Sequence, residues 1–484
     1  MSDLLKGEAT RNANGAPTDP DHRQVMAALL RLMQREVTDT LLPEISTQYP
    51  TYVANLMAQM LGFMADWTAG APYEDVETAR RALADQLAGF EGSLPSLTPD
   101  FDDTSGADTV LAQRLNALAK TDQSGLLASI VPAVAAASDR LYTDQSRRHA
   151  ETGLAEREFL ARVDIDITPA LFDRYAREKL GITDDATANV IKIPGGHSKD
   201  TFLIEFKSGR EMIIRRDFPF GPVETSAPDE FTLLSRLHAR GIPVPRPLAA
   251  EYDRQYLAQP FLVVERVQGR DGHETGLNDA AAGRKICVEL ARLLAKLHSY
   301  DPIDLGLAPV RGDPQSAVRA YLESWRSWWR KNQPHNSSLL EAGFAWLERN
   351  VPSKFERVVT IHGDARPGNM LFQDGEVTAL LDWEFFHAGD PAEDLLYAKI
   401  YVEPFIKWDD FIAEYQAAGG AKFSAESQNY YDVFATLRNV ICTETAWGGY
   451  IRGKYPAFKL AAQGVVYKRM LAHALAKSLQ TVPW

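Results

Sequence analysis

The sequence predicts an α+β protein of two lobes, the first rich in strands and the second helical, preceded by an all-α domain. Three observations predict this order. Residues 21–155 place apolar side chains at the three- and four-residue spacing of amphipathic helices. From about residue 185 the pattern alternates as in strands, and helical spacing returns after Asp279. Polar residues close the short strands of the second lobe, which predicts a cleft between the lobes.

Composition limits the classes of function. A chain of 484 residues is too long for one ordinary core, and its 45% hydrophobic and 24% charged residues are typical of globular proteins. The formal net charge of -13 argues against general nucleic-acid or anionic-membrane binding, so neither partner is expected. Cys287 and Cys442 stand far apart, which suggests neither a disulfide framework nor a cysteine zinc site.

The amino-terminal region shows no targeting signal. Residues 1–20 are polar and rich in Gly and Asn, which predicts a disordered tail without a signal-peptide core. The longest apolar run, Leu126–Ala137, contains Ser and Pro and is shorter than a membrane span. We therefore expect a cytoplasmic protein.

Residues 21–155 are predicted to form an all-α accessory domain. Segments such as "YVANLMAQMLGFMADW" are amphipathic, and no catalytic constellation of ionisable residues occurs in them. We expect this domain to pack on the rest of the chain or to form a homodimer with a second copy.

Residues 166–270 are predicted to form the strand-rich lobe. "NVIKIPGGHSKDTFLIEF" is typical of a strand, a glycine turn and a second strand, and "GREMIIRRDF" of a third. "PDEFTLLSRLHARG" has Pro and Asp near its start and Gly after its end, which predicts a helix. "PFLVVERVQGR" is again extended.

Residues 271–484 are predicted to form the helical lobe, which carries the chemistry. Two short strands, "RVVTIHGD" and "TALLDWE", interrupt its helices. Asp364 and Asn369 stand five residues apart in "HGDARPGN", and Asp382 follows in "LLDWE". A carboxylate can accept a proton from a nucleophile, and an amide oxygen with a second carboxylate can hold Mg²⁺. Phosphoryl transfer needs this arrangement.

These motifs resemble those of the aminoglycoside phosphotransferase/choline kinase-like family of small-molecule kinases. "HGDARPGN" is similar to the HGDxxxxN catalytic loop of that family, and "LLDWE" to its metal-binding segment. The resemblance runs from about Asp166 to the C-terminus. It implies a two-lobed protein-kinase-like fold with ATP and Mg²⁺ as cofactors. The "GGHS" loop and "RR" strand resemble a subgroup, the kinase-like modules fused to some acyl-CoA dehydrogenases.

The resemblance assigns roles around the catalytic loop. It implies that Asp364 is the base that orients the acceptor hydroxyl, that Arg366 lies near the transferred phosphate, and that Asn369 and Asp382 ligate Mg²⁺. His362 is expected to brace the loop. Asp390 is expected to cap backbone amides, and Glu384 is either a partner of the metal site or an exposed charge.

The resemblance also places a nucleotide site in the first lobe. Gly195, Gly196 and Ser198 match the phosphate loop, with Lys199 where relatives often carry Asn.

Arg215 matches the cation that grips nucleotide phosphates. Its helix partner is expected to be Glu230, with Asp229 and Glu224 as competitors. The segment Val263–Gly269, which includes Glu265 and Val267, matches the hinge that presents backbone groups to adenine.

The acceptor is expected to be a small molecule with a hydroxyl group. Helices around Tyr321–Lys331 and Tyr401–Tyr455 are expected to wall its site, and their Trp, Arg and Lys residues favour a largely apolar or anionic metabolite such as a hydroxyacyl thioester or phenol. Two alternatives are an aminoglycoside or macrolide phosphotransferase and a catalytically silent pseudokinase. A protein kinase is disfavoured because no activation loop follows "DWE".

Overall fold

The computed structural model describes residues 112, 115, 131–136, 167–193, 196, 198–333, 337–353, 355, 357–451, 460 and 463–483. In these residues a strand-rich lobe is followed by a helical lobe, which confirms the predicted α+β fold class. The predicted tail, residues 1–20, and most of the predicted accessory domain lie outside the described residues.

The first lobe is built on a five-stranded antiparallel sheet. Its strands are β1 (Thr187–Ile193), β2 (Lys199–Phe206), β3 (Glu211–Asp217), β4 (Pro247–Glu251) and β5 (Phe261–Glu265). Their spatial order is β1-β2-β3-β5-β4. The helices are α1 (Pro169–Lys179), α2 (Glu230–Ala239) and α3 (Arg254–Leu257). The predicted strand–turn–strand unit, third strand and following helix are thus β1, β2, β3 and α2.

Both faces of this sheet are covered. Phe202 and Ile214 belong to the hydrophobic cluster that includes Phe172 of α1. Their strand neighbours Leu203 and Ile213 belong instead to the cluster that includes α2. Successive side chains of a strand point to opposite faces, so this alternation buries one set under each helix. The sheet is therefore a rigid support for residues at its edges and ends.

The second lobe is mostly helical. Its helices are α4 (Gly272–Asn278), α5 (Ala280–Leu297), α6 (Gln315–Asn332), α7 (Ser338–Arg349), α8 (Ala392–Val402), α9 (Trp408–Ala417), α10 (Ala425–Ile451) and α11 (Lys468–Thr481). Its strands are β6 (Arg270–Asp271), β7 (Val359–Ile361), β8 (Met370–Gln373), β9 (Glu376–Leu380) and β10 (His387–Gly389). They form two small sheets, β6-β8-β9 and β10-β7, which carry the segments that the sequence identified as catalytic.

Part of the amino-terminal region contributes to the core of the helical lobe. Residues 131–136 are helical, and Val131, Val134 and Ala135 are buried. They belong to the same hydrophobic cluster as Trp329 of α6 and Leu475 of α11. These described residues therefore pack on the second lobe, while the limits of an accessory domain stay a prediction.

None of the helices in the described part of the chain has the length and hydrophobicity needed to cross a membrane.

Candidate active site

The catalytic loop follows directly from β7. His362, Gly363 and Asp364 come after this buried strand, and a short 3₁₀ turn, Pro367–Asn369, leads into β8. Gly363 has φ +84°, and a Cβ added to it would lie 2.6 Å from Cβ of Phe385. Only glycine fits this position, since both the conformation and the space exclude a side chain.

A buried carboxylate, that of Asp394 in α8, holds this loop. It accepts the N–H groups of His362 at 2.9 Å and Gly363 at 2.7 Å, and it lies 3.0 Å from Nε2 of His298. Burial opposes its charge, but these bonds outweigh burial and lower the pKa of the Asp394 carboxyl. Sequence reasoning did not identify Asp394, whose only local signal is an acidic residue early in a helix.

His362 has the bracing role that the sequence predicted. Its Nε2 lies 2.9 Å from the carbonyl oxygen of Leu381, and its Nδ1 accepts the N–H of Asp364 at 3.1 Å. The side chain is buried, and burial lowers its pKa. A neutral imidazole that bonds to the backbone on both sides links the catalytic loop to the segment before Asp382.

The structure brings Asp364, Arg366 and Asn369 together. Nδ2 of Asn369 donates to Oδ2 of Asp364 at 2.6 Å and to its carbonyl oxygen at 2.8 Å. Nε of Arg366 lies 3.3 Å from Oδ1 of Asp364. Burial opposes the charge of Arg366, but Asp364 raises its pKa, so the guanidinium stays protonated. These contacts fix the orientation of the carboxylate that is expected to face the acceptor.

Asp382 has an unusual backbone conformation. Its φ is +67°, in the left-handed region that few non-glycine residues adopt. Leu381, just before it, donates its N–H to the carbonyl oxygen of Asn369 at 2.7 Å, which ties the two candidate metal ligands together. Strained residues of this kind cluster at functional sites.

Arg215 connects the two lobes. Its guanidinium contacts Oε2 of Glu230 at 2.6 Å and Oδ1 of Asp382 at 2.5 Å. Glu230 is fully buried at the start of α2, whereas Asp229 and Glu224 are exposed. The structure therefore places Glu230, and neither competitor, against Arg215.

The glycine-containing loop contacts the segment after Asp382. Gly195 lies outside the described residues, and Gly196 lines the cavity described below. Ser198 donates its hydroxyl to Glu384, and Nζ of Lys199 lies 2.8 Å from the same carboxylate. Glu384 is 7% exposed, so its interpretation as an exposed charge is wrong. Ser198, predicted to contact phosphate, here bonds to protein.

A cavity of about 340 Å³ lies between these elements. Its wall includes Arg215, Asn369 and Asp382, and also Glu265 and Val267. The N–H of Glu265 donates to the carbonyl oxygen of Arg246 at 2.9 Å, so this amide is already bonded within the lobe. The apolar residues Ile193, Ile213, Leu234 and Leu371 also line the cavity. It thus combines an apolar part with a charged end.

The donor set at the charged end fits Mg²⁺. Both partners of Nδ2 of Asn369 are acceptors, which assigns the amide and leaves its oxygen as the remaining ligand. The side chain of Asp382 is 35% exposed and reachable from the cavity. Mg²⁺ is typically held by one or two carboxylates together with substrate phosphates.

Two cations expected at the acceptor wall, Arg326 and Arg438, are core residues instead, each 8% exposed or less. Trp325 and Trp329 of the same region are buried as well. Arg326 pairs with Glu348. Arg438 donates to the carbonyl oxygen of Gly363 at 2.5 Å. The basic character predicted for this wall is therefore partly wrong, since two of its cations stabilise the fold. Residues 452–459 lie outside the described residues.

Comparison with known proteins identifies the family of this chain. Residues 189–432, half of the 484-residue chain, match the model of the phosphotransferase enzyme family, and the chain belongs to that family.

The individual relatives share only about a quarter of their residues with this chain over the aligned region. Acyl-CoA dehydrogenase family member 11 of Gallus gallus is 27% identical over 60% of this chain and 38% of its own length. Homoserine kinase of Methylocella silvestris is 26% identical over 36% of this chain and 52% of its own length. The chain thus spans about two fifths to one half of these relatives.

Among solved structures, one from Ralstonia eutropha JMP134, provisionally assigned as an aminoglycoside phosphotransferase, is 19% identical with a TM-score of 0.48. The match covers 65% of this chain and 98% of that one.

Proposed function

We propose that this protein is an ATP- and Mg²⁺-dependent O-phosphotransferase that moves the γ-phosphoryl group of ATP to a hydroxyl of a small, largely apolar or anionic metabolite. The observation that carries the proposal is the constellation around the cavity. Asp364 is oriented by Asn369 at 2.6 Å, and the cavity that Asn369 lines also contains the ion pair of Arg215 with Asp382. If these segments were ordinary turns without a catalytic role, nothing would require Asp364, Asn369, Arg215 and Asp382 to lie together.

Each side chain has a role in transfer. Asp364 orients the acceptor hydroxyl and takes its proton as the acceptor oxygen bonds to the γ-phosphorus, while the bond from that phosphorus to the β–γ bridging oxygen breaks and ADP leaves. Arg366 neutralises charge that develops on the transferred group, and Arg215 binds nucleotide phosphates. Asn369 and Asp382 would hold Mg²⁺, which supplies charge neutralisation at the phosphates when bound. Positioning and electrostatics provide most of the catalysis in reactions of this type.

Two observations support a largely apolar acceptor. A second, smaller cavity of about 80 Å³ is lined by Val223 and five aromatic residues, Tyr321, Trp325, Trp328, Phe385 and Phe386, together with the polar residues Glu224, Thr225, Ser324 and Glu384. The Gallus gallus relative is named as an acyl-CoA dehydrogenase family member, which favours a hydroxyacyl thioester among the candidates. A phenol is the second candidate of the same apolar class.

The acceptor is tested by an ATP-consumption screen. Hydroxyacyl-CoA esters, phenols, homoserine, choline-like alcohols, aminoglycosides and macrolides are compared at equal concentration. We expect the largest kcat/KM with an apolar hydroxyl compound. Turnover of an aminoglycoside or macrolide at about 10⁴ M⁻¹s⁻¹ or above, the range of committed enzymes, would instead identify an antibiotic phosphotransferase.

The base is tested by Asp364→Asn. We expect transfer to fall by roughly 10²–10⁴-fold, the typical contribution of a general base, while nucleotide affinity is retained. Asp374→Asn is the matched control, because it makes the same chemical change at an exposed residue in the β8–β9 turn. Full activity of Asp364→Asn would remove the proposed role. A wild-type protein that binds ATP but transfers to no acceptor would favour a pseudokinase.

A further inference from the structure

We propose that Lys199 is a second positioning cation of the active site. Together with Arg215 it holds the segment Asp382–Glu384 in place, as a clamp. The positions of Ser198 and Lys199, at the start of β2, and of the candidate metal ligand Asp382 are thereby coupled. The inference rests on the proposed function and extends it to a pair, Lys199 with Glu384, that the assigned roles leave unused.

Two cations, Arg215 and Lys199, each form ion pairs with Glu230 and with one acid of the segment Asp382–Glu384. Arg215 joins Glu230 at 2.6 Å to Asp382 at 2.5 Å. Lys199 joins the same Glu230 at 3.9 Å to Glu384 at 2.8 Å. Each cation therefore links the buried acid of α2 to one acid of the same three-residue segment.

The burial of these charges indicates that the ion pair of Lys199 with Glu384 positions the segment Asp382–Glu384 more than it stabilises the fold. Lys199 is 3% exposed, Glu384 7% and Glu230 0%. Desolvating such charges offsets much of their mutual attraction, and apolar replacements of similar volume are often equally stable. Ser198 also donates to the Oε2 atom of Glu384 that Lys199 contacts, which fixes the carboxylate further.

The sheet explains why the two connections move together. Lys199 is the first residue of β2, and β2 pairs with β3, the strand of Arg215. Thr201 stands opposite Arg215 in that register. Both cations thus project from neighbouring strands of one covered sheet. A shift of Ser198 and Lys199 at the start of β2 displaces Glu384, and with it Asp382 two residues earlier.

The test compares the double variant Lys199→Met/Glu384→Gln with wild type. Removing both charges avoids a buried charge without a partner, so the variant is expected to fold. We expect the Mg²⁺ concentration that half-saturates binding of the non-hydrolysable analogue AMP-PNP to rise roughly tenfold or more, as when residues that orient metal ligands are lost. Affinity for AMP-PNP without Mg²⁺ should change less. Lys199→Arg should retain most of the wild-type Mg²⁺ dependence.

A second readout needs no metal or nucleotide. Backbone amides of residues 198–201 should exchange hydrogen faster in the double variant than in wild type, because the loop has lost its contact with Glu384. Lys285→Met/Glu376→Gln is the matched control, since this pair has a similar distance, 2.7 Å, but is exposed. We expect the control to match wild type in both measurements.

The outcomes separate this inference from the function on which it rests. The clamp alone would be overturned if wild type binds Mg²⁺ and AMP-PNP but the double variant shows the same Mg²⁺ dependence and the same amide exchange as wild type. Wild-type protein that binds no nucleotide would overturn the proposed function and the clamp with it.

Discussion

Single residues of the catalytic loop show how strictly the site constrains sequence. The spacing of Asp364, Asn369 and Asp382 could be predicted because these residues stand within one short region of the chain. Asp394 could not, because it bonds to His362 from 32 residues away, on a helix of its own. The pair of Lys199 and Glu384 spans 185 residues and leaves no local pattern at all.

Gly363→Ala is predicted to be costly. The alanine would keep a φ of +84° and bring its Cβ within 2.6 Å of Phe385. Strain and overpacking together should destabilise the protein by about 2–5 kcal/mol and reduce transfer. Gly375→Ala is the matched control, since Gly375 has the same φ of +84° but its nearest neighbour is 4.0 Å away. Urea denaturation should show a smaller loss for the control, and equal losses would contradict the steric explanation.

Asp390 is predicted to make stability depend on pH. It is buried where it accepts the N–H of Ala392 and the hydroxyl of Ser427, both at 3.0 Å. Burial raises its pKa from 3.8 to about 6. The folded state therefore prefers the protonated form, and this contribution is present below about pH 4 and is lost as pH rises through about 6.

Asp390→Asn keeps both bonding groups without the titration. Relative to this variant, wild type should lose about 2 kcal/mol of unfolding free energy between pH 4 and pH 7, because the shift from 3.8 to about 6 is worth 1.36 kcal/mol per pKa unit and part of it is already lost at pH 4. Parallel stability curves for the two proteins, measured by chemical denaturation across that range, would contradict the assignment.

At the scale of elements, helix α10 stabilises the catalytic loop through the side chain of Arg438. Its Arg438 donates to the carbonyl oxygen of Gly363, pairs with Glu393 at 3.4 Å, and lies over the rings of Phe385 and Tyr397. The sequence placed this cation at the acceptor wall because a basic residue on a helix does not reveal which face is buried. The strands β1, β2 and β3 were easier to predict, since their alternation and glycine turns are local.

Arg438→Met is predicted to destabilise the protein by about 3–5 kcal/mol, because it leaves Glu393 with one buried partner fewer. Transfer should fall as well, since the loop carbonyl loses its donor. Arg292→Met tests an exposed ion pair on α5, where Arg292 is 52% exposed and contacts Glu414 at 2.9 Å. That change should cost less than about 1 kcal/mol. Similar melting temperatures for the two variants would argue against a supporting role for α10.

At the scale of the whole molecule, the two-lobed architecture was predictable, whereas the sequence left open whether the amino-terminal region packs on the rest of the chain or on a second copy. Amphipathic spacing indicates that a helix has an apolar face but not what covers that face. Val131 and Val134 are covered by the second lobe, in one cluster with Trp329.

Val134→Asp is predicted to destabilise the second lobe. Val134 is 0% exposed, so the variant would bury a carboxylate without a partner, at a cost of about 3 kcal/mol or more. Ala133→Asp, next to it at a half-buried position, is the matched control. Calorimetry should show a much lower melting temperature for Val134→Asp alone. An unchanged melting temperature would mean that this helix does not belong to the core.

The cluster that joins Val131 to Leu475 and Leu479 also has a consequence for biosynthesis. A ribosome makes Val131 more than three hundred residues before Leu475, at about 5–20 residues per second. The early helix therefore waits tens of seconds with its apolar face uncovered, which is the condition that recruits chaperones and promotes aggregation. Expression yield should consequently depend on chaperone supply more than the stability of the finished protein would suggest.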